Sequence, residues 1–261
     1  MAEQIDKQLA ERLTQALTAG SEVLFQLILD PDPNVLANTL KNPQLNEEHL
    51  LTLLKRRDLP EEIPEKIYHR HSKSLSHRLA LALAKNRATA DTIVRTLLPQ
   101  LHLFELVDIC FLPGLTADKR LNAERNILQR LPTTPLGSKL TLARRATANI
   151  VAELLKEGHP ALTKVCLDSP RLKEAAIYQL LTGPKATAET ISIIARNSRW
   201  QHRPNLRQAI LRNPQTPEIW FTLWLPRLSL PLLKQLNGNQ QLRSGAKRQI
   251  KAELNRRGAG K

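Results

Sequence analysis

Cysteine is almost missing from this chain. Cys110 and Cys166 are the only two in 261 residues, far apart and each inside an apolar stretch, so neither a disulfide framework nor a cysteine-based metal site is available. That usage suits a reducing, cytoplasmic compartment. Glycine (9 residues) and aromatics (3% of the chain) are also sparse, while Leu and Ala recur throughout. Sandwiches, barrels and dinucleotide-binding folds need strand-forming aromatics and glycine-bearing turns, so helices are favoured instead. No run of about 18 uncharged apolar residues occurs. The opening MAEQIDKQLAERL carries acids where a secretory leader has a basic start and an apolar core. Also absent are a phosphate-cradling glycine loop, a zinc-protease motif, a nucleophile elbow and a kinase signature. A soluble cytoplasmic protein without enzyme activity, metal or cofactor is the expectation.

Acidic residues are scarce in one half only. Residues 1–127 hold 16 basic and 17 acidic side chains, whereas 128–261 hold 23 basic and 7 acidic, so the formal net charge of +15 resides entirely in the second part. Such asymmetry points to an anionic partner, nucleic acid first and an acidic protein second.

What is present is a repeat. At an offset of 127, Leu13-Thr14 meets Leu140-Thr141, Pro33 meets Pro160, and Pro43-x-Leu45-x-Glu47 meets Pro170-x-Leu172-x-Glu174. The match continues through Asn86 and Asn213 to Leu98-Pro99-x-Leu101 and Leu225-Pro226-x-Leu228. Two tandem related halves follow, 1–127 near-neutral and 128–261 basic. A shorter unit recurs within each, seen in LANTLKNPQLNEEHLLTLL from Leu36, LALALAKNRATADTIVRTLL from Leu79, LTKVCLDSPRLKEAAIYQLL from Leu162 and LRQAILRNPQTPEIWFTLW from Leu206. Asn42 to Asn86 spans 44 residues, as does Ser169 to Asn213, close to the roughly 40–47 residues of HEAT and armadillo helix pairs. At each break Asn is expected to end a helix in the left-handed conformation, Pro cannot continue it, and Asn46, Thr89 or Thr216 is expected to cap the next.

The segment from Leu206, with Asn213-Pro214-x-Thr216-Pro217 at its centre, resembles the repeat of bacterial leucine-rich-repeat-variant and HEAT-like proteins. The pattern is degenerate elsewhere, and the four-cysteine cluster found at the N-terminus of one such protein has no counterpart here. The resemblance implies an interaction scaffold.

Candidate sites follow the charge. Arg196, Arg199, Trp200, His202, Arg203, Arg207 and Arg212 fall within 17 residues free of acids. There the arginines would hold phosphates and Trp200 would stack a base or, more simply, plug a gap between units. At offset 127 lies a second basic cluster, His69, Arg70, His71, Lys73, His77 and Arg78, suggesting a shared anion-binding ridge. His69, His71 and His77 could in principle bind a metal, but no Cys or close carboxylate completes a tetrahedral set in that stretch. Residues 242–261 read as an amphipathic helix that buries Leu242, Ala246, Ile250 and Leu254 and caps the stack, with Lys247, Arg248 and Lys251 on its free basic face. Trp220 and Trp224, four apart, read as core.

The expected fold is all-α, a right-handed α-solenoid of about six HEAT-like helix pairs. The expected role is a non-catalytic scaffold whose basic second half binds an anionic partner, most plausibly nucleic acid. The alternative is a protein-protein adaptor using a groove of the first half for a helix or peptide. A HEAT-like DNA glycosylase and a peripheral membrane binder rank below these.

Overall fold

A computed structural model of the chain describes residues 2–258, with side chains from Lys7 onward. Every regular element among them is helical, and no helix is long and apolar enough to cross a membrane. Two compact units divide after Gln129.

The first unit holds α1 (Ala2–Thr18), α2 (Ser21–Leu27), α3 (Pro33–Thr39), α4 (Glu47–Leu53), α5 (Glu62–His71), α6 (His77–Lys85), α7 (Asp91–Leu97), α8 (Leu103–Phe111) and α9 (Ala117–Arg130), which ends at the division. The second holds α10 (Leu136–Arg145), α11 (Ala148–Lys156), α12 (Pro160–Asp168), α13 (Glu174–Thr182), α14 (Ala188–Arg196), α15 (Pro204–Arg212), α16 (Glu218–Trp224), α17 (Leu230–Asn237) and α18 (Ser244–Arg256). The helix boundaries repeat at the offset of 127: α2 and α11, α3 and α12, α4 and α13, α6 and α15, α7 and α16, α8 and α17, and α9 and α18 all start in register.

Within each unit a helix packs on the helix two places further along: α2 on α4, α4 on α6 and α6 on α8, then α11 on α13 and α13 on α15. These short helices would be marginal alone. They are held by one apolar stripe each, such as Leu79, Ala80, Leu83 and Ala84 on α6 or Leu206, Ala209 and Ile210 on α15, all buried. Trp220 and Trp224 are core residues of this kind, 6% and 7% exposed with ring centroids 5.1 Å apart. In α18, Ala246, Ile250 and Leu254 are buried together with the preceding Leu242. The last residues of the helix expected over 242–261, from 259 on, lie outside the described part.

The breaks work differently from the sequence-based expectation. Asn86 and Asn213 have φ near −77° and −78° with extended ψ, and among the described residues no non-glycine residue has a positive φ. Instead of making a left-handed cap, each amide crosses to the preceding helix pair. Asn42 Nδ2 donates to the carbonyls of Ala16 and Ala19 at 3.0 and 3.1 Å. Asn86 does so to Leu54 and Arg56 at 2.7 and 3.1 Å, and Asn213 to Leu181 at 2.6 Å. The Oδ1 of each accepts the amide N–H two residues on. One buried side chain thus satisfies orphan carbonyls at a helix end and pins its own turn. Thr89 and Thr216 do not cap the next helix either. Their hydroxyls donate back to Leu83 and Ile210. Asn46 does cap α4, in a box with His49.

Candidate binding grooves

The C-terminal ends of α4 and α6 and the turn after α8 enclose a groove of about 630 Å³. Its floor is apolar: Leu51, Leu54, Leu81, Ala82 and Leu112. Six cations line it, Lys55, Arg56, Arg57, Arg78, Lys85 and Arg87, against one acid, Glu48. Helix geometry places the charge here. Several acids of this unit sit in first turns, as Glu47 and Glu48 of α4, Glu62 and Glu65 of α5 and Asp91 of α7 do, whereas Asp58 follows α4 beside Arg56. Lys55, Arg56 and Arg57 lie at the end of α4 and Lys85 and Arg87 at the end of α6, where the dipole favours cations, while Arg78 lies in the first turn of α6.

Two of the six cations are already engaged. Arg56 donates to the carbonyls of Ile28 and Asp30 at 2.7 and 2.8 Å and forks onto Asp58 at 3.0 and 2.7 Å. Those bonds hold the Asp58 carboxyl down at about 2. Arg78 pairs with Glu48 at 2.7 Å, and the hydrogen bond raises the guanidinium above its ordinary value. Both partners of this pair are well exposed, so it contributes little to stability. Lys55, Arg57, Lys85 and Arg87 make no ion pair among the described residues.

The second unit builds a groove at the equivalent place, from α13, α15 and the turn after α17, as two adjoining hollows of about 680 and 550 Å³ that share Tyr178 and Arg212. At offset 127, Lys55, Arg56 and Arg57 become Thr182, Gly183 and Pro184, while Arg78 and Arg87 become Asn205 and Pro214. Lys85 alone keeps its charge, as Arg212. The remaining polar lining is chiefly amides such as Gln179, Gln208 and Gln215. The same hollow is therefore cation-rimmed in the near-neutral unit and nearly neutral in the unit that carries the excess.

The residues singled out from sequence scatter. Trp200 is 4% exposed and its indole N–H donates to the Leu167 carbonyl at 3.1 Å. Its ring is buried between helices and offers no face to a base, which corrects the stacking role. Arg199 covers that ring, 4.6 Å from the centroid, and donates to the Ser169 carbonyl at 2.8 Å. Arg207 donates to the Gln201 carbonyl at 2.6 Å, approaches His202 Nδ1 at 3.3 Å, and lies over Trp224. Arg212 donates to Gln235 at 2.8 Å, and Lys247 to the Gln240 carbonyl at 3.0 Å. Arg196 lies over Trp220 with its head exposed. Arg203 is 57% exposed, 3.9 Å from Glu174, and Arg248 and Lys251 are exposed on α18.

In the first unit Arg70 donates to the Leu40 carbonyl, His69 lies 3.6 Å from Glu65, and Lys73 is exposed beyond the end of α5. Arg78 is the member of that cluster that belongs to the groove. Within each cluster some cations are spent on backbone carbonyls, Arg70 on Leu40 in the first unit and Arg199 and Arg207 on Ser169 and Gln201 in the second.

The groove cations Lys55, Arg57, Lys85 and Arg87 were missed because the first half sums to no charge. The signal was local: Lys55-Arg56-Arg57 directly after LLTLL, and Lys85-x-Arg87 at the next helix end. The thiols of Cys110 and Cys166 are buried, which pushes both up to about 12, so neither is a nucleophile at neutral pH. The chain matches no family model, no curated protein and no solved structure.

Proposed function

We propose that the chain is a non-catalytic helical-repeat adaptor, each unit a right-handed solenoid of HEAT-like helix pairs, about six pairs over the chain. In this reading the first-unit groove takes an acidic amphipathic helix of a partner protein. The observation that carries it is the contrast between the two equivalent grooves: unpaired cations around an apolar floor in one, amides in the other. A helix with one apolar and one acidic face matches that floor and rim, the helix-in-groove mode of recognition. No aromatic side chain among the lining residues offers a surface on which a base could stack.

A second reading, nucleic acid on the second unit, is favoured by the exposed heads of Arg196, Arg203, Arg248 and Lys251. Fluorescence anisotropy separates the two readings, with a labelled Leu/Glu amphipathic peptide and a labelled single-stranded RNA as probes. The adaptor reading expects saturable peptide binding that Lys85→Glu with Arg87→Glu weakens about a hundredfold and Arg203→Glu leaves unchanged. RNA binding that outcompetes the peptide, falls steeply with salt and is lost with Arg203→Glu and Arg248→Glu contradicts it.

A further inference from the structure

Apart from the grooves, one cluster among the described residues brings ligating side chains together from separate helices. His77 opens α6, His102 is the residue before α8, and Glu105 lies in the first turn of α8. Each offers one ligand atom, and these atoms all lie within 4.8 Å of one another. His77 Nε2 is 2.9 Å from both Glu105 carboxylate oxygens, and the two imidazole rings stand 4.2 Å apart, tilted by 38°. The carboxylate is held in place, since Oε2 accepts the His102 amide N–H at 2.8 Å. Packing of α6 on α8 fixes the spacing of the two imidazoles. Partial burial opposes the charge of Glu105, but the His77 and His102 hydrogen bonds outweigh it and hold the carboxyl below its ordinary value.

We propose that His77, His102 and Glu105 form a site for a divalent transition-metal ion. Two imidazole nitrogens and one carboxylate oxygen suit Zn²⁺, Ni²⁺ or Co²⁺, not the all-oxygen shells that Ca²⁺ and Mg²⁺ take. On binding, the ion takes the place of the hydrogen between His77 Nε2 and the Glu105 carboxylate, and that proton leaves to solvent or to Nδ1 of the same ring. With bonds of about 2.0–2.1 Å, ligand atoms on one ion lie about 2.9–3.4 Å apart, so the His77–Glu105 pair is already at the lower end of that spacing. His102 completes the set by turning its ring toward the ion, and water fills the positions open to solvent. Both helices point their N-termini at this place, and those dipoles oppose a cation. The affinity is therefore expected to lie below that of a closed structural zinc site. The consequence is mechanical: the ion ties α6 to α8, the two helices whose far ends wall the first-unit groove. The proposal does not depend on what that groove binds.

The test is isothermal titration of the tag-free full-length chain with ZnCl₂ and, separately, NiCl₂ at neutral pH, with melting temperature as a second readout. The expected result is one ion per chain and a higher melting temperature on loading. His102→Ala and Glu105→Gln each weaken binding at least about tenfold. Glu105→Gln retains an oxygen for the His102 amide, so that variant stays folded. His69→Ala with His71→Ala changes nothing. Absence of saturable binding, or binding that survives both His102→Ala and Glu105→Gln, overturns the proposal.

Discussion

Asn213 shows how much a single side chain carries in this fold. Its buried amide satisfies the Leu181 carbonyl across the helix-pair boundary while its oxygen takes the Gln215 N–H. Asn213→Ala leaves both without a partner, and we expect a loss of about 1–3 kcal/mol in chemical denaturation. Position 169 is the converse. Ser169 is the counterpart of Asn42, is 4% exposed, and its hydroxyl has no partner. The carbonyls that Asn42 reaches belong to Ala16 and Ala19, whose counterparts are Ala143 and Ala146. Ser169→Asn restores that crossing and should stabilise the chain by about 1 kcal/mol; an unchanged or lower denaturation midpoint contradicts the account. Glu253 offers a pH test. Hydrogen bonds from Arg256 and Arg257 lower it from 4.5 to about 2, and Arg257 in turn donates to the carbonyls of Leu225, Pro226 and Leu228. A carboxyl depressed on folding contributes stability that is complete above pH 4.5 and lost as pH falls toward about 2. Glu253→Gln should be less stable than the parent at neutral pH, with the two denaturation curves converging in that acid window. At this scale the sequence was half legible. The asparagines stood out as punctuation, but their partners lie about thirty residues away, beyond any local pattern.

At the scale of elements, helices and their order could be read from periodicity, and the 127-residue offset carries through to helix starts such as His77 and Pro204. Charge on elements could not be read from totals. Acids in first turns and cations at helix ends cancel in a sum yet separate in space, so α4 and α6 present a cationic edge within a neutral unit. At Trp200 the sequence left two readings open, a stacking platform or a plug between units; the ring is buried and Arg199 lies over it, as the plug requires. The predicted consequence is asymmetric. Reversing Lys55 and Arg57 to Glu should weaken acidic-peptide binding about tenfold or more in anisotropy. Changing their counterparts Thr182 and Pro184 to Glu should leave it unchanged.

For the whole molecule, the +15 of the chain describes solubility and long-range attraction. The proposed docking place is set by the few cations that ring an apolar floor in the unit with none of that excess. Three of the second unit's arginines, Arg199, Arg207 and Arg257, are spent internally, on the carbonyls of Ser169, Gln201, Leu225 and Leu228. Salt should separate the two roles. Peptide binding at the groove should weaken only modestly with ionic strength because the leucine floor persists, while contact made by charge alone falls steeply. The most direct measurement is amide hydrogen exchange on the full chain with and without the acidic amphipathic peptide. The account predicts protection over residues 51–57 and 81–87, with residues 196–207 and 243–256 unchanged. Protection confined to the latter two segments would place the binding surface on the basic unit and contradict it.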